Sequence, residues 1–276
     1  MKPKRSRGPN RRRNHFRSSH PFRHGPDAGP ELKAGDIEYE FGIPIAGAIV
    51  PKEQWTQSAL KRIPESRPVD WNSVFGREAP LVVDIGCGNG RFTIGSALLR
   101  PECNHLAIDS LPTVIRYGTR RANQRGLHGV RFAVADGWRF LTDLCSDASI
   151  HEIHIYHPQP YADPVDFGKR MLTPDFLGWM HRRLVVGGKV YLQTDRSPYW
   201  TYISCSMSTL FDWTCIADAW GEEPEFRSRR EILAMKQGLT IYRGVGIKRE
   251  SLDSKRLDEL IQGLPEPTFS IDSNYE

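Results

Sequence analysis

Leu81-Val82-Val83-Asp84-Ile85-Gly86-Cys87-Gly88-Asn89-Gly90 decides the fold of this chain. Leu81, Val82, Val83 and Ile85 make an apolar run of strand length, and glycines follow at alternate positions, Gly86, Gly88 and Gly90. Arg91-Phe92-Thr93-Ile94 then opens a helical pattern. A buried parallel strand that passes through a glycine-rich turn into a helix is how open α/β sheets build a nucleotide-type pocket. Spacing separates the ligands. Dinucleotide folds carry G-x-G-x-x-G/A, with the helix N-terminus facing a pyrophosphate. Here an acid, Asp84, precedes the first glycine. A carboxylate there repels a phosphate and suits the ammonium of an amino-acid ligand. A glycine-rich turn that binds nothing is the plain alternative, and the strand–turn–helix context speaks against it.

Downstream the pattern repeats. After a helix over Phe92 to Leu99, His105 to Ile108 reads as a second strand that stops at Asp109. Thr113 to Arg125 is helical, and Gly129 to Ala135 is a third strand ending at Asp136-Gly137. An acid closing the second strand is placed to accept from ribose hydroxyls, and one closing the third can accept from an adenine amino group. A single aspartate at a strand end is an ordinary helix N-cap. Three in order, Asp84, Asp109 and Asp136, form a pattern. A short helix over Trp138 to Leu144 leads to a fourth strand, Ile150 to Tyr156, followed directly by His157-Pro158-Gln159-Pro160-Tyr161. A proline-stiffened loop ending in an aromatic suits a flat base held by stacking; a packed tyrosine in a proline-rich turn is the alternative.

The remaining elements are a helix over Pro174 to Leu184 ended by Gly187-Gly188, a fifth strand over Lys189 to Gln193 running into Thr194-Asp195, and a helix over Tyr199 to Leu210. Phe211 to Ile216 and Leu239 to Ile247 read as an antiparallel hairpin joined by the charged segment from Glu222 to Gln237, and Leu252 to Ile261 as a small amphipathic helix. The fold class is α/β: a Rossmann-like, mostly parallel seven-stranded sheet with an antiparallel C-terminal hairpin. The expected organisation is a disordered basic tail over 1–30, a lead-in over 31–75, the main domain over 76–250, and a short helix with a polar tail over 251–276. The lead-in carries a proline- and glycine-punctuated apolar segment, Phe41 to Pro51, that packs over the domain, and a helix candidate over Glu53 to Arg62.

Composition narrows the class. The 276 residues are 39% apolar, enough for one large domain with appendages. No apolar run reaches bilayer length, and the N-terminus offers no secretory segment. Five cysteines without C-x-x-C spacing point to free thiols in a reducing, cytoplasmic setting and to no metal site. The formal charge of +5 is a property of the tail, since residues 1 to 24 hold nine of the 38 lysines and arginines and the first acid is Asp27. The remaining 29 basic residues face 33 acids, a net of about −4. Basic arms of this kind engage nucleic acid through phosphates or serve solubility alone.

The Asp-x-Gly-x-Gly turn is similar to that of S-adenosylmethionine-dependent methyltransferases with the Rossmann-like fold. From about Trp71 to Arg249 the chain resembles, more closely, the bacterial tRNA (guanine-N7-)-methyltransferases. The resemblance rests on Asp84 to Gly90, Asp109, Asp136-Gly137, Pro158-Gln159-Pro160-Tyr161, Lys169-Arg170, Gly187-Gly188 and Thr194-Asp195 followed by Tyr199. It also rests on Ser228-Arg229-Arg230-Glu231, which stands where the family has Thr-x-x-Glu ahead of its last strands. It implies S-adenosyl-L-methionine as cofactor, held by Asp84, Gly86, Gly88, Gly90, Asp109, Asp136 and Gly137. It implies tRNA as partner, with Tyr161, Asp163, Lys169, Arg170, Asp195, Ser228 and Glu231 binding substrate and Gln159 and Asp195 at the chemistry. No metal and no membrane enter.

The chain departs from the family in one loop. Where the family has Phe-Pro-Asp-Pro-Trp and a basic run, Gln159 stands for the catalytic aspartate and Tyr161 for the tryptophan, while Asp163, Asp166 and Phe167 replace lysine, basic or histidine positions. Guanine N7 has a lone pair and no proton, so its methylation needs no general base. A carboxylate beside the base would stabilise the charge that develops on it. Asp163, Asp195 or Glu231 is the expected source of that charge. Methylation of another RNA position or a small acceptor, and donor binding on RNA without turnover, are the competing readings.

Overall fold

The structure, a computed structural model, describes residues 32–218 and 223–271; the basic tail lies outside them. A short ribbon, β1 (Tyr39–Glu40) with β2 (Ile43–Pro44), precedes the helix α1 (Trp71–Phe75). The sheet strands are β3 (Leu81–Ile85), β4 (Asn104–Asp109), β5 (Val130–Val134), β6 (Ile150–Tyr156), β7 (Leu184–Thr194), β8 (Asp212–Cys215) and β9 (Tyr242–Ile247). The helices that follow α1 are α2 (Arg91–Leu99), α3 (Pro112–Gln124), α4 (Gly137–Arg139), α5 (Pro174–Arg183), α6 (Ser197–Leu210), α7 (Arg229–Lys236) and α8 (Ser254–Gln262).

All five residues of β3 are buried because helices cover both faces of the sheet, which is why the strand reads as a continuous apolar run. The strand order is β5-β4-β3-β6-β7-β9-β8. Strands β3 to β7 pair in parallel, while β9 runs antiparallel to both β7 and β8. The chain thus reverses its direction of travel between β3 and β6, and the crevice outside the carboxyl ends of those strands is where such sheets hold ligands. One apolar layer gathers Val83, Ile85, Ile153, Ile155, Met180 and Ile203, and the other Ile94, Ala107, Ile115 and Phe132. The mostly parallel seven-stranded sheet with antiparallel C-terminal strands is the architecture expected from the sequence.

Two local expectations fail, and a third is met with a change of helix type. Glu53 to Arg62 is no helix, apart from a single 3₁₀ turn over Lys52–Gln54. Its main chain instead runs along the free edge of β5: Leu60 N donates to Phe132 O and Phe132 N to Ser58 O, each at 2.8 Å. Satisfying an edge strand outweighs weak helix propensity. The second failure is the start of β7, which begins at Leu184 and not at Lys189. Gly187, with φ 80°, lets the strand bulge where its register on β6 shifts between Ile150 and Glu152. The third is the segment over Trp138 to Leu144, where the short α4 passes into a π turn over Phe140–Leu144.

The C-terminal residues are integrated with the sheet layers. α8 lies against α5 so closely that a Cβ on Gly178 would meet Ile261 Cδ1 at 2.2 Å. Arg182 pairs with Asp258 at 2.8 Å across the same contact. The chain after α8 then returns toward the carboxyl ends of the strands.

Candidate active site

A cavity of about 750 Å³ opens at that crevice, within the range of small-ligand sites. Its first half is built from strand ends. Gly86 leaves β3 with φ 78°, and a side chain there would point into open space, so the main chain faces the cavity bare. Gly90, with φ 79°, starts α2; a Cβ on it would strike the Phe132 ring at 2.8 Å, so this glycine serves close helix packing and lies away from the cavity wall. At the end of β4, the two oxygens of Asp109 accept from Gly88 N at 3.0 Å and Leu111 N at 2.9 Å. Asp136 caps α4 through Arg139 N at 3.0 Å. Asp109, Asp136, Gly137 and Gly86 all line the cavity.

Asp84 does not. It lies buried behind the glycine turn, where Thr93 Oγ1 donates to it at 2.6 Å. Burial pushes its carboxyl up to about 7, against the pull of the Thr93 bond, and the Asp109 charge adds to the rise.

The second half of the cavity is the loop after β6. His157 and Tyr161 both adopt left-handed backbone, φ 54° and 43°, and bracket Pro158-Gln159-Pro160. Non-glycine residues held there cost on the order of 1 kcal/mol each or more and persist only where the surroundings impose them. Gln159, Tyr161 and Lys169 line the cavity, with Lys169 paired to Asp166 at 2.7 Å. Arg170 borders it too, but its guanidinium is committed to main chain. Nε donates to Pro160 O at 2.6 Å, Nη2 to Tyr161 O at 2.8 Å, and Nη1 to Pro267 O and to Phe269 O, the latter at 2.8 Å. The same group is sandwiched between the rings of Phe167 and Phe269, at 3.8 and 3.9 Å. Arg170 anchors the loop to the C-terminal segment.

The other expected substrate residues are engaged outside the cavity lining. Asp163 caps the 3₁₀ turn over Pro164–Lys169 through Val165 N at 3.0 Å. Ser228 caps α7 through Glu231 N at 3.2 Å. Glu231 is buried and paired with Arg243 at 2.7 Å and Arg227 at 3.5 Å. Asp195 receives His157 Nδ1 at 2.9 Å and Arg230 at 2.7 Å. Although burial pushes its carboxyl up, those two hydrogen bonds and the charge of Arg230 hold it well below the ordinary carboxylate range. None of these four lines the cavity.

His157 joins the two regions and was missed as a functional residue in the sequence. Gln193 Oε1 accepts from Arg243 Nε at 3.2 Å, so its amide N–H donates to His157 Nε2 at 2.9 Å. The ring proton then sits on Nδ1, facing Asp195. Glu231, Arg243, Gln193, His157, Asp195 and Arg230 form one continuous polar chain, and of these six His157 alone reaches the cavity. Strand pairing held the signal: Tyr156 sits opposite Gln193, so the residues that follow each strand must meet.

Among the described residues no group of three or more histidines, cysteines or acids could hold a metal ion, and no helix is long and apolar enough to cross a membrane.

The comparisons with known proteins agree with this geometry. The tRNA (guanine-N(7)-)-methyltransferase of Halorhodospira halophila is 29% identical over 163 residues, 58% of this chain and 70% of that protein. The enzyme of the same name from Rubrobacter xylanophilus is 28% identical over 173 residues, 62% of this chain and 77% of its own length. In Alkalilimnicola ehrlichii the matched part is 61% of the protein, at 29% identity over 145 residues, 52% of this chain. Among solved structures, the 16S rRNA methyltransferase KamB superposes with a TM-score of 0.54 at 13% identity, covering 70% of this chain and 99% of that one, a likeness of fold alone. The model of the family described as "Putative methyltransferase" matches residues 78–243, more than half of the chain, and the chain belongs to that family.

Proposed function

We propose that this protein transfers a methyl group from S-adenosylmethionine to N7 of a guanine in tRNA. The observation that carries the reading is one cavity bounded at one end by the Gly86 turn, Asp109 and Asp136 and at the other by Gln159 and Tyr161. The relatives' names supply the nucleotide. The residues fit the donor. The bare main chain at Gly86 leaves room for close approach, and Asp109, pinned at both oxygens, keeps lone pairs for ribose hydroxyls. Asp136 and Gly137 close the adenine side. When bound, S-adenosylmethionine supplies an electrophilic methyl group. The protein's part is to hold the flat acceptor with its N7 lone pair in line, using Gln159 and Tyr161, and to shield the site from water.

Asp84 gives this reading a pH signature. A carboxyl raised to about 7 is most stable protonated, so the free protein loses stability as pH rises from the ordinary value of 3.8 towards 7. A donor ammonium near Asp84 favours the charged form and reverses that preference. Donor binding at pH 6.5 therefore releases protons, and the release fades above pH 8. Calorimetry in two buffers of different ionisation enthalpy measures it; equal heats at pH 6.5 would show that the ammonium stays away from Asp84.

An RNA substrate is further supported by a second cavity of about 890 Å³ beside the first. Lys61, Arg62, Arg67, Arg116, Arg120 and Arg139 rim it, Ile115, Phe132 and Val134 floor it, and no acid is among its described lining residues. Trp55 stands half-exposed at its edge. Cations around an apolar, aromatic-edged trough suit phosphates with a stacked base. The double variant Arg62→Glu/Arg116→Glu is expected to weaken tRNA affinity and to lower the log–log salt slope by roughly 0.7–0.9 for each phosphate that is no longer neutralised. Donor affinity stays unchanged; an unaltered slope would place the RNA elsewhere.

The direct test is mass spectrometry of nucleosides from tRNA incubated with protein and donor. 7-Methylguanosine is the expected product. A methyl group on another nucleoside would favour a different RNA position, and donor binding without any transfer would favour a non-catalytic RNA-binding role.

A further inference from the structure

The loop after β6 carries Gln159 where an acid would stabilise the methylated base, and the three acids expected to compensate are spent elsewhere. Asp195 and Glu231 are neutralised by arginines outside the cavity lining, and Asp163 caps a turn. Four acids do line the cavity: Asp109, Asp136, Asp175 and Glu266. The first two belong to the strand ends at the donor side, and Asp175 lies in the first turn of α5. Glu266 comes from the segment after α8, beyond the residues that match the family.

Arg170 explains why Glu266 is there. One guanidinium holds the carbonyl oxygens of Pro160 and Tyr161 from the loop and those of Pro267 and Phe269 from the C-terminal segment. Gln159 and Glu266 are each the chain neighbour of a proline fixed by that group, and both face the same cavity. Among the described residues, no hydrogen bond or ion pair engages the Glu266 carboxylate, which leaves it available to a ligand.

We propose that Glu266 is the acceptor-side carboxylate of this enzyme, delivered by the C-terminal segment in place of the acid missing from the loop. The inference rests on the guanine-N7 reading. As the N7 lone pair forms its bond to the methyl carbon, the carbon–sulfur bond breaks and its electron pair stays on sulfur. Positive charge moves from sulfur to the purine ring, and no proton is transferred. A carboxylate beside the ring stabilises that charge as it develops, so Glu266 lowers the barrier more than it strengthens ground-state binding.

The experiment is single-turnover methylation of tRNA by wild type, Glu266→Gln, Glu266→Asp, Asp175→Asn, Gln159→Asp, and Gln159→Asp combined with Glu266→Gln. Glu266→Gln is expected to slow methyl transfer by about 100-fold, with tRNA and donor affinities within about twofold of wild type and an unchanged melting temperature. Glu266→Asp retains part of the rate. Gln159→Asp alone lowers the rate, because two carboxylates then crowd one site. In the Glu266→Gln background it restores at least tenfold, a rescue that a structural role for Glu266 would not give. A wild-type rate in Glu266→Gln, or the main loss appearing in Asp175→Asn, overturns the proposal alone. A wild-type protein that forms no 7-methylguanosine overturns the functional reading and the proposal with it.

Discussion

Arg170→Ala lowers the melting temperature by about 10 °C and abolishes methyl transfer. The variant strips four main-chain carbonyls of their donor and empties the space between the Phe167 and Phe269 rings. Hydrogen bonds from a charged donor contribute about 1.5–3 kcal/mol each, and a desolvated cation on a ring adds up to about 2. Burying the guanidinium offsets much of that sum. A net loss of roughly 3–5 kcal/mol remains, the scale seen when one side of a buried charged pair is removed. In a domain of this size each kcal/mol moves the midpoint by about 2–4 °C. Arg170→Lys recovers little, since an ammonium can neither reach four carbonyls in a plane nor stack between two rings. A scanning-calorimetry midpoint within 2 °C of wild type for Arg170→Ala would contradict the anchoring role.

The same arginine shows where sequence reading stops. β3 was legible because it is covered on both faces and so reads as an apolar run bounded by turn residues. The strand-end acids were legible because the switch point of an open sheet fixes which residues face the crevice. Asp109 and Asp136 accordingly stand where the pattern puts them. A charged side chain has no such rule. Lys169 and Arg170 look alike as neighbours in a basic dipeptide. One reaches the cavity with a surface ion pair, while the other finds a carbonyl 97 residues away. Asp195 and Glu231 likewise fall in motifs that imply contact with substrate, yet arginines from α7 and β9 occupy both. Which partner saturates a charge is settled by segments remote in sequence, and periodicity carries no trace of it. Glu53 to Arg62 failed for a related reason: the free edge of β5, some seventy residues on, offered its backbone better partners than a helix would.

Asp109→Ala weakens S-adenosylmethionine binding by 100-fold or more, well beyond the effect of deleting one hydrogen bond to the ligand. The carboxylate does two jobs. Its oxygens fix the glycine turn at Gly88 N and the start of α3 at Leu111 N, and its remaining lone pairs face the cavity. Removing it deletes acceptors for ribose hydroxyls and also leaves two main-chain N–H groups without partners, so the turn that shapes the donor side loosens. Each hydrogen bond to a charged acceptor is worth about 1.5–3 kcal/mol, and 1.4 kcal/mol is a factor of ten in affinity. Two such deletions reach a hundredfold even after partial compensation by water. Asp109→Asn keeps one oxygen acceptor and is expected to lose about tenfold. The fluorescence of Trp138, which lines the cavity, gives a direct titration signal beside calorimetry. Less than a fivefold change for Asp109→Ala would mean that the ribose is held elsewhere, and that the carboxylate serves only to brace the turn.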